Sequence, residues 1–134
     1  MASGELSPRR MLEPLCEKIG RDRVDQVIHA FYATLRADPV LHGFFDGITD
    51  FAEHEAHIAD FWWVAMGGKL EQPRQFDMLG RHRELALTPA AFEHWLALFG
   101  ATLHARLPSD SAAQWLQMAE AIAANLQRHT LRPA

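Results

Sequence analysis

The stretch Met78-Leu79-Gly80-Arg81-His82-Arg83-Glu84-Leu85 decides how this chain folds. It is short, charged and, with Gly80 in its middle, a poor helix former. Two strongly patterned segments flank it. The segment before it carries Phe51, His54, Ile58, Phe61 and Trp62, and the segment after it carries Phe92, Trp95, Leu96 and Phe99. A histidine presented on a short turn between two apolar helices is a candidate metal ligand. His82 is that histidine, and the rest of the chain bears on what it would hold.

Working outward, Asp50 with Glu53 three residues later forms a capping-box pattern that starts the upstream helix. At 100° per residue, Phe51, Ile58, Phe61, Trp62 and Ala65 share a face, with His54 inside it and His57 at its margin. Gly67-Gly68 ends it, and Lys69–Gln75, with Pro73, reads as loop. Downstream, Thr88-Pro89 pairs a cap with proline at the first helical position. Phe92, Trp95, Leu96, Phe99, Leu103 and Leu107 then mark a helix of about five turns. Pro108-Ser109-Asp110 breaks it and caps the last helix. That helix has Trp115, Leu116, Ala119, Ile122, Ala123 and Leu126 as its buried stripe, and its end is expected to fray from Arg128.

Towards the N-terminus, Ser7-Pro8 starts a first short helix through Met11, Leu12, Leu15, Cys16 and Ile19, closed by Gly20. Asp22 is read as the cap of a second helix with Val24, Val27, Ile28, Phe31, Tyr32 and Leu35 on one face, stopped at Asp38-Pro39. Val40 to Asp50 reads as a helical turn and a loop in which Phe44 and Phe45 pack inward. No segment alternates with period two, so the fold class is all-α: about five substantial helices and two short turns.

The chain has 134 residues, enough for one domain, read here as residues 1–134 with flexible ends at 1–6 and 128–134. Its formal charge of −4 gives no electrostatic reason to bind nucleic acid or an anionic membrane. No apolar run is long enough to span a bilayer and no signal peptide is evident, so a cytoplasmic location is expected. The single cysteine, Cys16, lies in an apolar stripe and reads as a buried, inert thiol.

Eight histidines invite a zinc reading. His54-Glu55-Ala56-His57 spaces its histidines three apart, however, where the metalloprotease helix needs four, and no Cys-x-x-Cys exists. Phosphate-cradling glycine motifs are absent. Haem suits the pattern better. A porphyrin needs a large apolar slot, which Phe45, Ile58, Phe61, Met78, Leu85, Phe92 and Leu96 could supply, and one neutral imidazole on the iron. Tyr32, His54 and Trp95 each place a hydrogen-bond donor on an apolar stripe of a different helix. Three such donors in one core are costly unless each finds a partner, such as a ligand or an ordered water. Taken singly, each of these residues also fits an ordinary core role, so a haem-free helical interaction domain is the competing class.

Several segments together resemble the truncated haemoglobins, most closely the third group of that family. They are Phe31-Tyr32 with Leu35-Arg36-x-Asp38, Leu41 through Phe45, and Glu53-His54-x-x-x-Ile58-x-x-Phe61-Trp62. The last are His82 and Phe92-x-x-Trp95-Leu96-x-Leu98-Phe99. The match runs from about residue 22 to about residue 126. The resemblance implies a shortened globin, a two-over-two helical sandwich around haem b. It makes His82 the proximal iron ligand and Tyr32, His54 and Trp95 the distal cluster, with Phe45 wedged against the porphyrin. The leading reading is a diatomic ligand (O₂, NO or CO) at ferrous iron, with an electron-donor reductase as partner; donors to a bound ligand would slow its release, which favours NO dioxygenase or peroxidase-like chemistry over transport. A haem-based gas sensor would need a separate output partner. Arg74, Arg81 and Arg83 lie near enough to His82 in sequence to be candidates for haem propionates.

Overall fold

A computed structural model describes residues 13–130. Among them are six α-helices and no strand: α1 (Leu15–Ile19), α2 (Arg21–Ala37), α3 (Phe51–Ala65), α4 (Met78–Arg83), α5 (Pro89–Arg106) and α6 (Ser109–Thr130). A 3₁₀ turn over His42–Phe45 lies between α2 and α3. The pairs α2–α3 and α5–α6 pack most closely, α2 and α5 join the two pairs, and α4 lies on α6. This is the expected two-over-two arrangement.

Local signals explain most boundaries. Asp50 Oδ1 accepts from the Glu53 N–H at 3.1 Å and Thr88 Oγ1 accepts from the Ala91 N–H at 3.1 Å, so both caps work as read. Asp77, which the sequence did not single out, accepts from the Gly80 N–H at 3.0 Å and starts α4. Gly80 has a different role from the close helix approach its size suggests. An added Cβ there would collide with the Asp77 carboxylate that caps the turn.

Three readings are corrected. A helix continuous through Leu12 and Leu15 is interrupted, because Pro14 is extended at φ −66°, ψ 151° and α1 begins only after it. Proline has no N–H to give and disfavours helix in the residue before it; the segment before Glu13, including the Ser7-Pro8 start, lies outside the described residues. The cap of α2 is Gly20 rather than Asp22, with Asp22 inside the first turn. Gly20 ends α1 and starts α2 at φ 88°, a left-handed value that glycine adopts without strain. Finally, α6 stays helical through Thr130, whose hydroxyl donates to the Leu126 carbonyl at 2.6 Å, so there is no fraying at Arg128. The ends at 1–6 and 131–134 lie outside the described residues.

The core is aromatic. Phe31, Trp62, Phe99 and Trp115 are buried and meet with ring centroids 4.7 to 5.8 Å apart, within the favourable range for offset and edge contacts. Leu35, Leu103, Val24 and Ile28 close around them. A second, smaller cluster joins Phe92 to Ala123 and Leu126, with Met78 and Leu79 of α4 against it. That contact is what docks the six-residue α4, since a helix so short has too little of its own stability.

Candidate functional site

α4 presents His82 in its last turn. The His82 Nδ1 lies 2.7 Å from the Met78 carbonyl oxygen, so Nδ1–H donates there and Nε2 keeps its lone pair. Backbone anchoring of one ring nitrogen is how ligating histidines are oriented and made more basic at the other. His82 is half-buried, with Met78 and Leu79 packed below it on α6.

α3 carries His54, Ile58 and Phe61 on the face that the sequence pattern groups with Trp62. Their burial is uneven. Trp62 and Ala59 are sealed in the core, whereas Phe51, Ile58 and Phe61 are half-buried and Ala65 is exposed. The same holds for Phe45, Met78, Leu85, Leu87, Trp95 and Leu96. Large apolar side chains left part-covered from α3, α4, α5 and the 3₁₀ turn contrast with the sealed stripe of α2. They leave apolar surface that only a further apolar body would cover.

Of the distal candidates, the structure brings two together. Tyr32 Oη and His54 Nε2 are 3.0 Å apart, with their rings edge-on at 5.2 Å, and Phe45 stands edge-on to Tyr32 at 5.6 Å. Burial holds the Tyr32 phenol far above its usual pKa, and the nearby Glu55 carboxylate adds to this, so Tyr32 stays protonated. Burial also pushes His54 below 6.5, with His57 and Arg81 reinforcing it and Glu55 opposing, so its ring is neutral near pH 7. Two neutral groups share one proton direction: either Tyr32 O–H donates to Nε2, or Nε2–H donates to the phenol oxygen and frees the hydroxyl.

Trp95 sits apart from that pair. It packs on Phe31 at 5.2 Å and Phe99 at 5.1 Å, and its indole N–H has no acceptor among the described residues. Met78 and Phe92 share the smaller apolar cluster, while Leu85 belongs to neither cluster and Leu87, unremarked in the sequence, touches both.

Sequence reasoning also missed the outer side of α3. Arg74 donates to the His57 Nδ1 and pairs with Asp60 at 3.0 Å and Glu53 at 3.3 Å, and Arg21 bridges Asp60 at 2.7 Å. Phe76 packs between His57 at 5.0 Å and Phe61 at 5.5 Å. This network straps the loop before α4 onto α3, and it commits Arg74 to carboxylates of the protein. Arg81 and Arg83 are exposed. Desolvation, with Arg74 and Arg81 alongside, holds His57 below 6.5, consistent with Arg74 donating to a neutral ring.

Do these residues fit a haem? The donor set does: one imidazole with a free Nε2, a set of part-covered apolar side chains, and a hydrogen-bonded polar pair, Tyr32 of α2 and His54 of α3. Among the described residues no three His, Cys, Asp or Glu side chains cluster to hold a bare metal ion. A site that ligates iron through one histidine therefore needs the porphyrin to supply the other donors. No helix among the described residues is long and apolar enough to cross a membrane.

Comparison with known proteins agrees. A search of curated proteins finds no match. Among solved structures, the chain is similar to a group III truncated haemoglobin from Campylobacter jejuni, at 28% identity and a TM-score of 0.75, over 85% of this chain and 93% of that one. It is similar to a 2/2 haemoglobin from Synechococcus sp. PCC 7002, solved in the cyanomet state with covalently attached haem. There the identity is 27% and the TM-score 0.71, covering 81% and 91% of the two chains. A haemoglobin from Chloroflexus aurantiacus, at 22% identity and a TM-score of 0.71 over 85% and 97%, shares the fold. The family model described as "Bacterial-like globin" matches residues 14–128. The chain thus belongs to the bacterial-like globin family, and it has the truncated, two-over-two form of that haem-binding fold.

Proposed function

We propose that this globin holds haem b through His82 Nε2 and binds a diatomic ligand under the control of Tyr32 and His54. The observation that carries this reading is the His82 Nδ1 bond to the Met78 carbonyl, which fixes the tautomer that leaves Nε2 to a metal. Ferrous haem supplies an open coordination position for O₂, NO or CO. What the chain adds is orientation, exclusion of water and hydrogen bonding.

Met78, Phe45, Ile58, Phe61, Leu85 and Phe92 would wall the porphyrin; the part-covered state of the first five supports that role, whereas Phe92 is buried. Trp62 would lie behind this wall, sealed in the core. Tyr32 is the strongest donor to a ligand on the α3 side, being neutral, nearly buried and rigidly packed by Phe31 and Phe45. His54 decides whether the hydroxyl is free to turn there. When Nε2–H donates to the phenol oxygen, the Tyr32 proton can point at the ligand. Trp95 lies one helix away on α5 and can join only from the side of Phe31.

Strong donation slows ligand release, which suits chemistry on the ligand, such as NO dioxygenation or peroxidase-like turnover, better than transport. Repeated NO dioxygenation would need an electron-donor reductase as partner to restore the ferrous state, whereas peroxidase-like turnover would draw its electrons from a reducing substrate with peroxide as oxidant. Single-turnover mixing of the oxygenated protein with NO tests it: stoichiometric nitrate with conversion to the ferric form supports dioxygenation, and unreacted oxygenated protein overturns it. The alternative, a haem-free interaction domain, has no observation of its own in its favour.

A further inference from the structure

Between α2 and α3 the chain has little regular structure to fix it. The 3₁₀ turn over His42–Phe45 has four residues, none of them buried, and it packs on α2. A turn so short carries little stability of its own. Yet it presents Phe45, whose ring stands edge-on to Tyr32 at 5.6 Å.

The polar anchor of this turn is Asp38. Its backbone is extended at φ −76°, ψ 126°, as a residue before proline prefers, and it ends α2. Its carboxylate then gathers the chain that follows: Oδ2 accepts from the Val40 N–H at 3.0 Å and from the Leu41 N–H at 2.9 Å. The same carboxylate accepts from His94 Nε2–H of α5, at 2.9 Å to Oδ1 and 3.0 Å to Oδ2. The Asp38 side chain is only 9% exposed, which makes these bonds stronger than they would be in open water. Among the described residues, no other side-chain hydrogen bond joins the turn to α5.

A bond between two elements is by itself an ordinary packing device. This one closes a ring of contacts that includes Tyr32. His94 directly precedes Trp95, whose indole meets Phe31 at 5.2 Å; Phe31 meets Tyr32 at 6.3 Å, and Tyr32 meets Phe45. From Phe45 the chain runs back to Asp38. Packing holds the aromatic part of the ring and tolerates sliding, whereas the Asp38–His94 bond is directional and fixes the register.

We propose that Asp38 and His94 are positioning residues: their bond clamps the turn to α5 and so holds Phe45 edge-on to Tyr32, giving the phenol a single orientation. The clamp stands on these contacts alone; that the phenol then faces an iron-bound ligand rests on the haem reading above.

Magnetic resonance of the full chain in its reduced CO form tests the clamp. Tyr32 is the only tyrosine, so ring-labelled tyrosine gives one unambiguous probe. The parent should show a nuclear Overhauser contact between the Tyr32 and Phe45 rings. His94→Leu should weaken it, and the Val40 and Leu41 amides should exchange about tenfold faster. His94 is half-exposed, so this variant keeps its fold. His94→Gln, whose amide N–H can reach the same carboxylate, should restore both readings, and His104→Leu, exposed on the same helix, should change neither. The C–O stretch should be one band in the parent and in His94→Gln and two bands in His94→Leu. An unchanged ring contact and exchange rate in His94→Leu, or no recovery in His94→Gln, overturns the clamp. Neither of those readings needs haem, so they decide the clamp whether or not the haem reading holds. A single C–O band in His94→Leu despite a lost ring contact overturns its role at the ligand.

Discussion

Replacing Tyr32 with Phe removes one hydroxyl from a side chain that is only 7% exposed, so the ring packing against Phe31 and Phe45 is kept. In the ligated protein that hydroxyl would donate to a partly negative ligand, a bond of about 1.5–3 kcal/mol. Its loss should raise the O₂ dissociation rate roughly 10- to 150-fold. Equilibrium affinity should fall less. In the ligand-free state Tyr32 is already bonded to His54 at 3.0 Å, a neutral bond of about 0.5–1.5 kcal/mol that must break before the hydroxyl can turn. The difference leaves about 1–1.5 kcal/mol, or roughly a 5- to 12-fold loss of affinity, with the association rate rising to make up the gap. Displacement of O₂ by CO in a stopped-flow instrument gives the off-rate, and flash photolysis gives the on-rate. An off-rate within about threefold of the parent's would refute the donor role. Equal changes in off-rate and affinity would show that His54 does not restrain Tyr32 in the ligand-free protein.

Other outcomes follow from the same geometry. His82→Ala should abolish haem retention while costing the haem-free fold under about 1 kcal/mol, because the side chain is half-buried and bonds only to Met78 of its own turn; chemical denaturation of both apoproteins measures this. Gly68→Ala would drive a Cβ into the Trp63 indole, whose N–H donates to the Lys69 carbonyl at 3.2 Å, and should destabilise by about 1–3 kcal/mol in a thermal melt. Stability should fall as pH drops below 6.5, because His54 and His57 have depressed values and the unfolded chain binds the protons they refuse. Their contribution is complete above 6.5 and declines below it, and His54→Leu should shallow that slope. A further loss should come below about pH 4 from Asp38. Its desolvation is outweighed by hydrogen bonds from His94 and from the Leu41 and Val40 N–H groups, which lower its pKa. Asp38→Asn should remove this acid step from the melting curve.

How far the sequence reached depends on which signals are local. Thr88-Pro89 and Asp50 with Glu53 were readable because a cap needs only its own neighbours, and α5 and α3 start where they say. Asp22 misled because a capping residue type cannot outbid a glycine that both ends one helix and opens the next at φ 88°. The stripe of α3 was legible as apolar, but its split between sealed Trp62 and part-covered Ile58 and Phe61 depends on what faces it across the fold. His82 was readable as a candidate ligand by resemblance and by its setting, whereas its bond to Met78 depends on how the folded turn places the ring. The Arg74–Asp60–Arg21 strap and the seat of Phe76 left no trace in the pattern, because a loop has no period and its partners lie far away in sequence. That strap also removed Arg74 from the candidates for propionates.

The central claim is that His82 holds a ferrous haem with an open or displaceable sixth position, and one optical spectrum tests it most directly. The protein expressed with haem available, then reduced and exposed to CO, should show a sharp shifted Soret band that His82→Ala loses and that added imidazole restores in the variant. Absence of any Soret band in the wild-type protein, or an unaltered CO spectrum in His82→Ala, would contradict the assignment.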